Sequence, residues 1–266
     1  MKIGFLSDLH ITHNADMIEQ VLDIMIEATS KAKIDKLFLV GDTANNYKMT
    51  LEFVDMLAKL GIDTYTVFGN HEYWSIDYEK AQRLNHDRYI NGKTIELDNN
   101  NVVIGIDGFF DYSFVTEVDN VYTRQISTDK NQLTQIGIDS SDLDRNRIKN
   151  YEETFNAMEE LLLKQLEIHK NKNITLITHY VPSEKFVLYN NDNVWTSINA
   201  FMGSKRYQEM AESYGVKKVI FGHTHSQFNE TINGVDYHCN PIGYKSFEFD
   251  ETFRERVKSR LKVFEI

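Results

Sequence analysis

The sequence predicts an α/β protein with a sheet covered on both faces. Two observations carry that expectation. Short apolar runs such as Ile3–Leu6, Leu37–Val40 and Tyr65–Phe68 alternate with segments whose apolar residues recur at helical spacing, the pattern of βαβ units. In addition, run after run ends in a polar residue able to do chemistry, as open α/β sheets favour at the carboxyl ends of their strands.

Taken in order, Ile3–Leu6 reads as the first strand, and Ile18, Val21, Leu22, Met25 and Ile26 as the face of a helix. Leu37–Val40, a stripe of Phe53, Val54, Leu57 and Leu60, and Tyr65–Phe68 repeat the unit. Val102–Ile106 reads as a strand, residues 151–169 as a helix, and Ile174–Ile177 and Val219–Phe221 as two further strands. Val235–Cys239 and Leu261–Phe264 read as more sheet. Residues 111–150 break the rhythm, being polar with scattered aromatics and no steady period. They are expected to form a cap or insertion within a single domain spanning 1–266, since long loops in compact domains usually serve function.

Composition narrows the function classes. Twenty-nine Lys and Arg against 40 Asp and Glu give a net charge of −11, which argues against nonspecific nucleic-acid binding. A phosphate-bearing substrate remains compatible if metal ions supply the positive charge. A single cysteine, Cys239, forms no internal disulfide and is expected to be buried. Asp8 breaks the apolar run of the N-terminal MKIGFLSDLH, which is therefore not read as a signal peptide. No stretch approaches the roughly 20 apolar residues of a membrane span. A cytoplasmic protein is expected.

The strand ends carry the chemistry. They read SDLH (Asp8, His10), GD (Asp42), GNHE (Asn70, His71), THY (His179) and GHTH (His223, His225). Each alone fits an ordinary turn or helix cap. Together, with five of the nine histidines among them, they converge on one edge of a sheet. Imidazole nitrogens mixed with carboxylate and amide oxygens suit Mn, Fe, Ni or Zn better than Ca or Mg. Seven candidate ligands exceed one tetrahedral ion but fit two ions sharing a group, for which Asp42 on a central strand is the best candidate. Two divalent ions beside Asp8 and Asp42 leave a local surplus of about two positive charges, which attracts a phosphoryl group.

In order, these motifs resemble those of the calcineurin-like metallophosphoesterases, from Asp8 to His225; the AFMGS segment at 200–204 is similar to that of uncharacterised bacterial members. The resemblance implies a four-layer α-β-β-α sandwich and hydrolysis of a phosphomonoester or phosphodiester by a hydroxide bridging two metals, with Mn or Fe first among the ions. It places Asp8, His10, Asp42 and His225 on one metal, and Asp42, Asn70, His179 and His223 on the other. His71 would be a non-ligand that contacts the phosphate with Asn70 and assists the leaving group. The continuation GDTANNYK lacks the arginine of the protein Ser/Thr phosphatases, which counts against that branch.

Substrate choice is expected from 107–150 and 180–206. Phe109, Phe110 and Tyr112 line a pocket or belong to the core, and Arg124, Arg145 and Arg147 contact a second phosphate or pair with nearby Asp142 and Asp144. Trp195 stacks on an aromatic group or packs. His13 is expected near the site and His169 at a helix end; His86 and His238 are assigned no role. Small-molecule or nucleotidic phosphate esters are the expected substrates. Two rival readings are a DNA-end nuclease of the same superfamily, disfavoured by the acidic charge, and a noncatalytic metal-binding scaffold, disfavoured because every ligand position and His71 are present.

Overall fold

The computed structural model describes residues 1–14, 17–115, 151–187, 198–244 and 251–266. The cap expected at 111–150 falls almost wholly outside them, as do Arg124, Arg145, Arg147 and Trp195.

The apolar runs form two sheets rather than one. The first has the order β10 (Lys262–Glu265), β1 (Lys2–Leu6), β2 (Lys36–Val40), β3 (Asp63–Val67), with β10 antiparallel to β1 and the rest parallel. The second has the order β4 (Lys93–Glu96), β5 (Asn101–Ile106), β6 (Asn173–Thr178), β7 (Lys218–Phe221), β9 (Val235–Cys239), β8 (Phe228–Ile232). Its edge strands β4 and β8 run antiparallel to their neighbours, and the four inner strands are parallel.

The helices of the described residues are α1 (Ile11–Asn14), α2 (Ile18–Ala32), α3 (Tyr47–Lys59), α4 (Tyr78–Gln82), α5 (Tyr151–His169), α6 (Arg206–Ser213) and α7 (Phe253–Arg260). Period-two side-chain alternation explains the layering. In β2, Leu37 and Leu39 pack with Val21, Met25, Phe53 and Val257 of α2, α3 and α7. Phe38 and Val40 point the other way, to a core between the sheets with Ile3, Phe5, Val67, Val103, Ile177 and Ile220. In β7, Val219 and Phe221 pack outward with Phe155 and Leu162 of α5 and Tyr207 of α6. The result is the expected α-β-β-α order. Each fully buried side chain of the inter-sheet core contributes about 1.5–3 kcal/mol, which holds the two sheets face to face.

Helix ends follow local chemistry. Asn46 accepts the backbone N–H of Lys48 to start α3. Thr252 and Glu255 form a capping box at α7. That helix turns arginines inward: Arg256 is fully buried and Arg260 nearly so. Among the described residues no helix is long and apolar enough to cross a membrane.

Candidate metal centre

The loops after β1, β2 and β3 meet those after β6 and β7, so the site bridges the carboxyl ends of both sheets rather than one edge. Asp8, His10, Asp42, His71 and His179 are buried, while His223, His225 and Asn70 are half-buried.

Three donor groups form there. Asp8, His10 and His225 bring ligand atoms within 4.8 Å of one another, so do Asp42, His179 and His223, and so do His10, Asp42 and His71. In the first, Nε2 of His10 and Nε2 of His225 are 2.9 Å apart, and Asp8 Oδ1 is 3.5 Å from His225 Nε2. In the second, His179 Nε2 lies 3.1 Å from Asn70 Oδ1 and 3.4 Å from Asp42 Oδ2. Asp42 Oδ2 faces both sets, since His10 Nε2 is 3.9 Å away. The site thus gathers all seven ligand candidates and His71, whose Nε2 is 3.7 Å from Asp42 Oδ2.

The backbone is bent to make this possible. Asp8, His10, Asp42, His223 and His225 have φ of 55°, 43°, 50°, 72° and 53°. Side-chain-bearing residues avoid this left-handed region, at a cost on the order of 1–3 kcal/mol each, and such strain gathers at functional sites. Two glycines serve by their lack of a side chain. A β-carbon on Gly69 would lie 2.2 Å from Asp42 Oδ1, and one on Gly222 would lie 2.6 Å from Asp8 Oδ2. Neither has a positive φ, so close approach rather than conformational freedom requires glycine there.

Two buried acids hold the loops. Glu72 Oε1 accepts the backbone N–H groups of Thr43 (2.9 Å) and Ala44 (3.1 Å) and the Thr50 hydroxyl (2.7 Å). Its Oε2 accepts those of Asp42 (3.1 Å) and Gly69 (2.8 Å). Burial and the nearby Asp42 push this carboxyl up to about 7, against the pull of its donors. Asp107 joins the two sheets: Oδ1 accepts Phe68 N–H, Oδ2 accepts the Tyr73 and Tyr89 hydroxyls, and its carbonyl accepts His179 N–H. Burial raises its carboxyl to about 6.

His71 is held on three sides. Its Nδ1 lies 2.9 Å from Asn45 Oδ1, its Nε2 lies 3.0 Å from the Tyr244 hydroxyl, and Trp74 lies against the ring at 3.9 Å between centroids. Asn45 Nδ2 reaches His13 Nε2 at 2.9 Å, so His13 does approach the site. Sequence reading gave no role to Glu72, Asn45 or Tyr244. Glu72 follows the GNH triplet, but nothing local announced its burial, and Tyr244 lies beyond the last motif.

A family model for calcineurin-like phosphoesterases matches residues 1–227. The chain belongs to the calcineurin-like phosphoesterase family. At that level it is a hydrolase of phosphoester bonds. Among solved structures it is similar to the phosphopantetheinyl hydrolase of Mycobacterium tuberculosis, with a TM-score of 0.65 and 16% identity over 91% of this chain and 89% of that one. It is also similar to a dimetal phosphatase from Danio rerio, with a TM-score of 0.52 and 12% identity over 90% and 86% of the two chains. Likenesses at this identity concern the fold. No curated protein matches the chain.

The phosphoesterase site has the chemistry of a place for cations. Asp8 Oδ2 and His10 Nδ1 are buried with no hydrogen-bond partner among the described residues. Burial opposes a charge on His179, yet Asp42 and Asp8 outweigh it and hold the imidazole up to about 9. Its Nδ1 is 3.1 Å from the Val40 carbonyl, so a proton on Nε2 faces the oxygens of Asp42 and Asn70. A divalent ion placed among these acceptors meets the same demand for positive charge more fully.

The other histidines are accounted for. His86 Nε2 is 3.4 Å from Asp55, His238 Nδ1 is 2.8 Å from Asn229 Oδ1, and His169 ends α5. Cys239 is buried. Phe110 and Tyr112 lie buried in an aromatic cluster with Tyr151, Tyr180 and Phe201. Tyr180 connects that cluster to the centre, 4.9 Å from the His223 ring.

Proposed function

We propose that the protein is a dinuclear metallophosphoesterase hydrolysing a phosphomonoester or phosphodiester of a small or nucleotidic molecule. The observation that carries this reading is the pair of donor sets that Asp42 faces from between. In it, Asp8, His10 and His225 hold one ion, Asn70, His179 and His223 hold the other, and Asp42 is shared. Manganese or iron suits this mixture of nitrogen and oxygen donors. Bound there, the two ions would supply a water of lowered pKa as nucleophile and neutralise charge on the phosphoryl oxygens.

The chain's own part is to hold and aim. Gly69 and Gly222 leave room for the carboxylates of Asp42 and Asp8, and Glu72 keeps the loops that carry Asp42 and His71 in register. The backbone N–H of His71 donates to Asp42 Oδ1 at 3.0 Å. That contact ties the His71 backbone to the shared carboxylate and so keeps its loop beside a phosphate held at the centre. His71 then delivers a proton or hydrogen bond to the departing ester oxygen, help typically worth about 10²–10⁴ in rate. Asn70 contacts the phosphate from the same loop, and Phe110, Tyr112, Arg124 and Arg145 belong to the substrate side of this proposal.

A cytoplasmic setting accords with the single cysteine. The net charge of −11 favours a small substrate over a nucleic acid. The test is to assay an aryl phosphate ester with the wild type, Asp42→Asn and His71→Ala while measuring bound metal. Loss of activity in both, with metal retained in His71→Ala, is expected; full activity in metal-stripped protein sinks the reading.

A further inference from the structure

The turn that carries Asp8 and His10 is stitched to its surroundings on three sides. Towards β2, Asp8 N–H donates to the Gly41 carbonyl (3.1 Å) and His10 N–H to the Asp42 carbonyl (2.9 Å). On the opposite flank the chain beyond β9 crosses from the second sheet to the first. There Ile242 N–H donates to the Ser7 carbonyl and Gly243 N–H to the Asp8 carbonyl, each at 3.0 Å. On the third side stands Asn14, the last residue of α1, whose backbone N–H donates to the His10 carbonyl at 2.9 Å. Asp8 and His10 both hold a positive φ within this turn, a conformation that persists only where the surrounding structure over-determines it.

The buried side chain of Asn14 closes the turn. Its Nδ2 donates to the Leu9 carbonyl (2.8 Å) and to the Gly243 carbonyl (2.7 Å), so one amide joins the turn to the crossing segment. Its Oδ1 accepts from the fully buried Arg256 of α7 at 3.1 Å, and another nitrogen of that guanidinium donates to the Tyr244 carbonyl at 3.0 Å. A guanidinium only donates, so Arg256 fixes which end of the amide is oxygen and turns its two N–H groups towards the two carbonyls. Arg260 holds the same segment through the Pro241 carbonyl at 3.0 Å. The crossing segment and α7 lie beyond residues 1–227, over which the family model matches.

We infer that Asn14 and Arg256 are positioning residues for one of the two ions, the one assigned to Asp8, His10 and His225. This deepens the proposed function and rests on it. The selectivity follows from where the contacts fall. Asn14 takes the carbonyls of Leu9 and His10, and Arg256 orients Asn14. The other donor set is held from elsewhere: the Asp107 carbonyl accepts His179 N–H at 3.1 Å, the Val40 carbonyl lies 3.1 Å from His179 Nδ1, and Glu72 accepts Gly69 N–H beside Asn70 at 2.8 Å. Without the Asn14 amide, two carbonyls and a guanidinium each lose a partner, and the turn is freed to relax towards ordinary φ values. That relaxation draws Asp8 and His10 away from their common ion while every ligand is still present.

The experiment titrates Mn into metal-stripped protein by calorimetry. It compares Asn14→Ala and Arg256→Lys with the unsubstituted chain, each in a His223→Ala and in a His225→Ala background. The first background disables the second donor set and reports the ion at Asp8 and His10; the other reports the ion at Asn70 and His179. In the His223→Ala background each substitution is expected to weaken Mn about 10–100-fold, as loss of an outer partner of metal ligands does elsewhere. In the His225→Ala background affinity should be unchanged. Circular dichroism establishes that each variant is folded; where Asn14→Ala is not, Arg256→Lys decides by the same reading. Equal weakening in both backgrounds is the mark of a general loss of structure and overturns the inference while leaving the function reading intact. Unchanged affinity in both, or weakening confined to the His225→Ala background, overturns it too. A wild type that binds fewer than two Mn per chain overturns the function reading, and the inference with it.

Discussion

The carboxylate of Glu72 accepts the backbone N–H of Asp42 at 3.1 Å, so the loop bearing His71 clamps the loop bearing Asp42. Through the same carboxylate pass Gly69, Thr43, Ala44 and Thr50. Replacing Glu72 by Gln leaves no orientation without a clash, because each oxygen faces at least two donors. With about 1–3 kcal/mol lost per buried donor left unsatisfied, Glu72→Gln should lower stability by about 2–5 kcal/mol. Denaturant unfolding of metal-free protein reads this directly; a loss within about 0.5 kcal/mol, usual for surface changes, would show that the clamp is not needed.

Gly222 offers a different lesion. A β-carbon there meets Asp8 Oδ2 at 2.6 Å and Ser7 Cβ at 2.9 Å, and Asp8 is held by the N–H of His223 at 2.9 Å. Gly222→Ala should push the carboxylate aside and weaken metal binding about 10–100-fold, the range seen when groups supporting metal ligands are lost. Isothermal titration with Mn distinguishes the outcomes, since intact affinity would mean that Asp8 does not act as a ligand in this place.

Those two positions also show what the sequence made legible. Strands and centre were readable together because each continuous apolar run ends in a residue type that has little reason to be buried unless it binds something. Helix 151–169 was readable from Phe155, Met158, Leu162 and Leu166, which all pack against the second sheet. The division into two sheets was not visible in the runs themselves, because a strand's two apolar faces do not say which neighbour covers each. Edge strands escaped for a related reason: β4 reads KTIE and β8 reads FNETI, polar and largely exposed. Helix α7 escaped because its apolar anchor is only Phe253 and Val257 in a segment otherwise rich in charge, with Arg256 and Arg260 buried beside them. Glu72, Asn45 and Tyr244 act through contacts made by distant parts of the chain, for which a single sequence holds no local signal.

His238 gives a pH dependence separate from the centre. Burial, with Lys262 nearby, pushes its imidazole down to about 4 from an ordinary value near 6.5. The folded state therefore resists a proton that the unfolded chain accepts. The sign follows: stability is untouched above pH 6.5, falls as pH drops from 6.5 towards 4, and levels below that. Thermal melts of wild type and His238→Gln across pH 4 to 8 should diverge in slope only in that window, with the variant losing less. Parallel curves would show that His238 exchanges protons freely in the folded protein.

Metal removal should matter to the fold as well as to turnover. Asp8 and Asp42 are buried side by side with five histidines around them, and a ligand bound only by the folded state stabilises it by about 2.7 kcal/mol at a hundredfold excess over Kd. Chelated protein should melt at a lower temperature than the same sample supplied with Mn, and should recover on its return. An unchanged melting temperature would mean that the donor sets take up no ion in the folded state.

The most direct test of the dinuclear reading is a titration of Mn into metal-stripped protein while hydrolysis of an aryl phosphate ester is followed. The expected trace is near zero for the stripped protein and rises to its full value as the second equivalent per chain is bound. Full activity before any metal is added, or a plateau at one equivalent, would contradict two ions sharing Asp42.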